Sequence, residues 1–188
     1  MIVQCLLIGG SGQLGKAILQ CKKALKRNAW DIPRRWQLNI ADGANICEWF
    51  RIQPAYDLIV NVAAETRVDF CENNELYSFN VNALGLKYIP RGLGDNKGVL
   101  VHISSDYVFP GTDPTPRKET DPVCPINAYG RTKWAGEVFV RALCPKHFIV
   151  RTAWLYGLHG KNFVKMILKK ARETGRISVV ADQYGSPT

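Results

Sequence analysis

Tyr129 and Lys133 stand four residues apart, and Ser104, Ser105 and Asp106 close the apolar run that begins at Val99. On a helix that spacing puts both side chains on one face. A free tyrosine titrates near pH ~10, too high for efficient proton transfer at neutral pH. A neighbouring ammonium favours the phenolate and is expected to lower that value. A Tyr/Lys pair beside a strand-end serine hydroxyl can then protonate a carbonyl oxygen as the carbonyl is reduced. The pair alone is a weak signal, since both residue types are common, so the elements that carry it decide its meaning.

Those elements read in order. Ile2 to Ile8 is apolar and β-capable, as a strand buried on both sides should be. GGSGQLG (Gly9 to Gly15) follows, then a helix to about Arg27. Gly9, Gly12 and Gly15 fit G-x-x-G-x-x-G, a turn that lets a pyrophosphate approach helix N–H groups and the positive end of the helix dipole. A second strand over Ala29 to Ile32 is cut off by Pro33. An acid at the end of this strand binds a free ribose hydroxyl, whereas arginine binds a 2′-phosphate. Arg34 and Arg35 favour NADPH and leave NADH open, because two solvent-facing loop arginines would look the same.

Further along, Ala44 to Gln53 forms a short helix and Asp57 to Val62 a third strand. Small residues at its carboxyl end, Ala63 and Ala64 followed by Glu65 and Thr66, leave room for a cofactor or simply pack tightly. About Asn73 to Leu93 is a helical layer, Val99 to Ser104 a fourth strand, Pro110 to Pro125 a loop, and His147 to Ala153 a fifth strand. Strands alternating with helices imply an α/β fold, a doubly wound parallel sheet with helices on both faces. Ligands of such sheets bind at the carboxyl ends of the strands, where Gly9–Gly15, Ala63–Thr66, Ser104–Asp106 and Thr152–Trp154 all fall.

Composition narrows the function classes. The 188 residues suit one domain with part of a second. No apolar run reaches the ~18 residues of a membrane span, and the apolar start has no signal-peptide pattern. A cytoplasmic protein is expected. The formal charge of +9 falls largely on two helices, Lys16 to Arg27 and Lys161 to Arg176, without interleaved aromatics, which argues for solvated faces over nucleic-acid binding. Six cysteines without C-x-x-C spacing suggest reduced thiols and no metal site.

With these positions laid out, the chain resembles the dTDP-4-dehydrorhamnose reductases, an extended branch of the short-chain dehydrogenase/reductase superfamily. The resemblance rests on GGSGQLG, VNVAAETRVDFCE (Val60 to Glu72), HISSDYVFPGT (His102 to Thr112), ETDPVCPINAYGRTKWAGE (Glu119 to Glu137), VRTAWLYG (Val150 to Gly157), NFVKMI (Asn162 to Ile167) and VVADQYGSPT (Val179 to Thr188). It implies a Rossmann-type NAD(P)-binding domain over residues 1–157 and the incomplete beginning of a small C-terminal substrate lobe over 158–188.

The implied reaction is NAD(P)H-dependent reduction of the 4-keto group of dTDP-4-dehydro-L-rhamnose to dTDP-L-rhamnose. By the same resemblance Tyr129 is the acid, Lys133 tunes it and binds the nicotinamide ribose, and Ser105 orients the carbonyl. Asp106 and Trp154 reach the sugar. Gly12, Gln13 and Leu14 hold the pyrophosphate, Asn39 and Ile40 lie near the adenine, and Ala63, Ala64, Glu65 and Thr66 lie beside the cofactor. Two departures stand out: Asn39 where the family usually has an acid, and Glu65 where Tyr or His is commoner. A carboxylate at 65 is expected to repel the cofactor phosphates. The dTDP-sugar is the expected partner, and a homodimer is compatible with the pattern. The rival is a non-catalytic NADP-binding regulatory subunit, like the beta subunit of methionine adenosyltransferase, towards which Ser104-Ser105-Asp106 and Glu65 lean. Trp154 and the DQYGSPT ending lean towards the reductases.

Overall fold

In the computed structural model the described residues are 2–22, 28–95 and 97–188. Five strands form one parallel sheet: β1 (Val3–Ile8), β2 (Asn28–Asp31), β3 (Leu58–Asn61), β4 (Val99–Ser105) and β5 (His147–Thr152). Their order is β2-β1-β3-β4-β5. The chain leaves β1 in one direction and returns past it to β3, so the order reverses between these two strands, and a ligand crevice belongs there.

The helices are α1 (Gln13–Lys22), α2 (Gly43–Ile52), α3 (Val68–Asn73), α4 (Glu75–Asn82), α5 (Ala128–Leu143) and α6 (Phe163–Thr174), with 3₁₀ turns at Leu84–Lys87, Ile89–Leu93 and Asp106–Val108. The stretch 23–27, where the sequence extends the first helix to Arg27, lies outside the described residues.

Register explains the buried run in β1. Leu6 pairs with Ile59, and Ile59 with Leu100, so three side chains with no exposed surface line up across the sheet. Ile46 of α2, Leu86 and Ile89 of the 3₁₀ turns and Val140 of α5 cover that face. A Leu or Ile fully buried in this way contributes about 1.5–3 kcal/mol. Tyr56, 1% exposed, locks the far end by donating its hydroxyl proton to Asp31 Oδ2 at 2.8 Å. The opposite face carries Leu7, which like Leu19 of α1 would lie within 4 Å of a Cβ at Gly10, but at β5 the side chains of Phe148 and Val150 are exposed.

Element bounds differ from the sequence reading by a residue or two at most sites. β2 begins at Asn28 and stops at Asp31, before Ile32, because Ile32 precedes Pro33 and the paired register ends at Leu6↔Asp31. β4 continues one residue further, to Ser105, because Ser105 pairs with Thr152. The segment between Phe109 and Asn127 forms no helix or strand, as its Pro and Asp content requires. Among the described residues no helix is long and apolar enough to cross a membrane.

Candidate active site

Helix α5, which carries Tyr129 and Lys133, is fixed at its first turn by two oxygen acceptors. Asn127 caps it, its Oδ1 accepting the Gly130 N–H at 2.8 Å, and Glu72 Oε1 accepts the Ala128 N–H at 2.5 Å. An N-cap of this kind contributes about 1 kcal/mol and fixes where the first turn begins. Tyr129 therefore emerges at a defined place, 9% exposed, with its ring edge-on to Tyr107 at 5.5 Å between centroids. One turn on, Lys133 is buried and its Nζ donates to the Ile103 carbonyl at 2.7 Å. Helix and strand are thus tied together at the carboxyl end of β4.

Ser105 ends that strand, buried. Its hydroxyl donates to Asp106 Oδ1 at 3.0 Å and accepts the Tyr107 N–H at 3.2 Å. A serine has one proton to give. A carbonyl bound here must draw that proton away from Asp106, whose carboxyl is raised above its usual value by burial.

The phenol departs from the sequence expectation. Burial pushes Tyr129 up to about 12, opposed chiefly by the Ser105 hydroxyl, and no neighbouring ammonium lowers it. The ammonium itself is strained: burial brings Lys133 down to about 8, with Glu137 acting against the fall. Tyr129 is accordingly a neutral phenol at pH 7, which is the form a proton donor needs.

The glycine turn follows β1 at the same carboxyl edge of the sheet. Gly9 has φ +91°, and a Cβ there would lie 2.6 Å from Ala63 N, so the turn is pressed against the end of β3. At Gly15 a Cβ would lie 2.3 Å from Gly9 O and 2.6 Å from Gly10 Cα. Only glycine lets helix and turn approach so closely. Gly12 is exposed and α1 has no acid in its first turn, which suits a phosphate. Leu14 is half-buried in the same turn. The Gln13 side chain is used elsewhere, its amide donating to Leu155 O at 3.1 Å and accepting from Asn162 Nδ2 at 3.3 Å.

Beyond the turn, Arg34 and Arg35 are exposed after β2, with Arg35 Nη2 2.6 Å from the Tyr77 hydroxyl. Two of the residues assigned to the adenine are otherwise engaged. Asn39 Oδ1 accepts the Ala41 N–H at 3.2 Å, and Ile40 is buried in the main core. Trp154, at φ +48° and half-exposed, lies against Gly185, while Thr188 Oγ1 accepts the Ala153 N–H at 3.2 Å. The DQYGSPT segment therefore lies along the loop after β5.

A family model described as the RmlD substrate binding domain matches residues 3–188. The chain belongs to this family. A dTDP-4-dehydrorhamnose reductase from Salmonella typhimurium is 46% identical over 132 residues, covering 70% of this chain and 44% of its own length. A dTDP-4-dehydrorhamnose reductase structure from Clostridium acetobutylicum superposes with TM-score 0.92 at 38% identity, covering 98% of this chain and 65% of that one. One from Bacillus anthracis, solved in complex with NADP, also gives TM-score 0.92 at 38% identity, over 100% of this chain and 66% of that one. The chain thus spans less than half of the Salmonella relative and about two thirds of these solved ones.

Within this member of the RmlD family the structure adds residues that the sequence reading missed. The repulsion expected from Glu65 is cancelled by Arg67, whose Nε and Nη2 reach Glu65 at 2.9 and 2.8 Å and hold its carboxyl below the usual range. The E-x-R spacing was the available signal. Ala63, Ala64 and Glu65 are half-buried and Thr66 exposed. Asn82 clamps their turn to α5: its Oδ1 accepts the Glu65 N–H at 2.8 Å, and its Nδ2 donates to Glu65 O at 3.0 Å and Thr132 Oγ1 at 3.1 Å. Asn61 and His102, paired across β3 and β4, share a 3.2 Å hydrogen bond, and burial together with Lys133 keeps the imidazole well below its usual pKa.

Lys133 makes stability depend on pH. Between about 8 and its ordinary value of 10.5 the unfolded chain binds the lysine proton more than the native one does, so stability rises with pH. From about pH 9 the raised thiols of Cys5, Cys71 and Cys144, and from pH 10 the raised phenols of Tyr56 and Tyr129, work in the opposite sense, since the native state then holds those protons longer. Lys133→Met should abolish the rise between pH 8 and 9 and lift the melting temperature at pH 7 by about 2–4 °C per kcal/mol recovered. Thermal melts of both proteins across that range provide the check.

Proposed function

We propose that this chain carries the cofactor-binding and proton-donating part of an NADPH-dependent reductase that converts the 4-keto group of dTDP-4-dehydro-L-rhamnose to the alcohol of dTDP-L-rhamnose. The observation that carries the reading is the convergence of a neutral, buried Tyr129, Lys133 one turn on, and Ser105 at the end of β4, in a chain with a close-packed glycine turn across the β1/β3 crevice. The names of its relatives, and the NADP bound to one of them, support both substrate and cofactor. Residues 1–157 form the cofactor unit in this reading, and 158–188 begin the substrate lobe.

The residues fit the cofactor at three places. The turn of Gly12, Gln13 and Leu14 takes the pyrophosphate through the N–H groups of Gln13 and Leu14, the Gly12 N–H being given to Gly9 O at 3.0 Å, Arg34 and Arg35 take a 2′-phosphate, and Lys133 binds the nicotinamide ribose. When bound, reduced nicotinamide supplies hydride to C4 of the sugar. Tyr129 supplies the proton to O4, because an alkoxide is a far stronger base than a phenolate and the phenol is protonated beforehand. Ser105 turns its hydroxyl from Asp106 to O4 and orients it. Asp106 and Trp154 contact the sugar.

Fluorescence titration of the chain with NADPH tests the first half, and a chain that binds no NADPH overturns the reading. The double substitution Arg34→Ala/Arg35→Ala should weaken NADPH about tenfold and leave NADH nearly unchanged, as expected for charge-assisted contacts at an exposed site. Equal loss for both cofactors would remove these arginines from the 2′-phosphate. Turnover is read as oxidation of NADPH on addition of dTDP-4-dehydrorhamnose.

A further inference from the structure

Among the described residues, Lys133 and Glu137 are the two charged side chains buried from solvent. They are one helical turn apart on α5, continuing the face that begins at Tyr129. Lys133 Nζ donates to a neutral carbonyl, that of Ile103. A buried ammonium without a nearby anion shifts to its neutral form, so a counter-charge is needed if it is to act as a cation. Glu137 has no exposed side-chain surface and is held from β5 by a fork–fork pair with Arg151, at 2.8 and 2.7 Å, and from α5 by Arg141 at 3.0 Å.

The other ionisable groups around this helix face do not fill the role. His102, from β4, is neutral and next to the ammonium. Asp106, Cys71 and Tyr107, from the 3₁₀ turn and α3, act on Tyr129.

We infer that Glu137 is a positioning residue that holds the Lys133 ammonium in its charged form, and that Arg151 sets how much of that negative charge Lys133 feels. The inference deepens the reductase reading and rests on it for its consequence in turnover. Arg151 also sits on the strand that leads to Thr152 and Trp154, so the same ion pair ties the sugar-side loop to the catalytic helix.

Opposite signs follow from the two ends of the pair. Glu137→Gln removes the anion and leaves Arg151 facing Lys133, so the lysine loses its proton at lower pH. Arg151→Gln leaves Glu137 less compensated, so the lysine keeps its proton to higher pH. A pair that only held α5 to β5 would give no such divergence.

The test follows the Lys133 side-chain resonances of the lysine-labelled chain through a pH titration, assigned with Lys133→Met. Glu137→Gln should lower the midpoint by about one unit, a tenfold change in the proton affinity. Arg151→Gln should raise it, and Glu137→Asp should stay near wild type. Midpoints that do not move, or that move in one direction in both variants, overturn the inference. If Glu137→Gln fails to fold, the sign of the Arg151→Gln shift decides it alone. Divergent midpoints with no NADPH binding by any form would uphold the charge assignment and defeat the reductase reading. NADPH binding with unmoved midpoints would do the reverse.

Discussion

Tyr129→Phe should reduce NADPH-dependent turnover of dTDP-4-dehydrorhamnose by about 10²–10⁴-fold, the contribution of a positioned general acid. The ring is buried and packed edge-on to Tyr107, and phenylalanine keeps that packing, so the fold should be unaffected. Cofactor affinity should change little, because Lys133, bonded to Ile103, is positioned without the phenol oxygen. The comparison is made by steady-state kinetics at saturating NADPH, alongside a cofactor titration. Turnover of the Phe variant equal to wild type would remove Tyr129 as the acid. A parallel loss of NADPH binding would instead show that the hydroxyl holds the cofactor. The direction of the pKa shift matters to the interpretation: at about 12 the phenol is fully protonated across the physiological range, so its own ionisation does not limit the reaction there. Lys133, at about 8, is the group whose titration falls within reach. Turnover should therefore decline as pH rises through that value, since a neutral amine is a weaker hydrogen-bond donor to the nicotinamide ribose than an ammonium.

Gly15→Val should eliminate measurable NADPH binding and destabilise the chain by about 1–3 kcal/mol or more, as overpacking at a site without room does. A first side-chain carbon at this position would meet backbone, Gly9 O at 2.3 Å and Gly10 Cα at 2.6 Å, and backbone cannot swing aside as a flexible side chain can. The helix would have to move away from the turn, taking with it the N–H groups offered to the pyrophosphate. Gly12→Ala is the control for stability alone, because its nearest neighbour would be Gly9 O at 3.4 Å, an ordinary contact. Urea melts and NADPH titrations of both variants separate the two effects. Full cofactor affinity in the Val variant would mean that the pyrophosphate is held elsewhere.

Much of this architecture could be read from residue order. Apolar runs bounded by Gly, Pro and Asn gave the strands to within a residue or two, since the central strands are buried on both faces and the edge strands still pair with them. The four-residue spacing of Tyr129 and Lys133 was sufficient to put them on one helix face, because helical geometry is local. Glu65 was misjudged as a repulsive charge although Arg67 stands two residues away, because charge alone does not say which way a loop folds back. Ile40 was assigned to the adenine and is core, since an apolar side chain in a loop looks the same in either role.

The sequence by itself determined the elements, the glycine turn and the chemical identity of the acid and its lysine, all consequences of short-range backbone geometry. The tertiary structure alone decided their electrical state. The buried position of Tyr129, the pairing of Asn61 with His102, the Asn82 clamp and the Glu137–Arg151 pair join residues that are from 14 to 50 positions apart. A pKa is set by what surrounds a group in space, and the depth at which Tyr129 and Lys133 lie is fixed only when β4, β5 and α5 have closed around them.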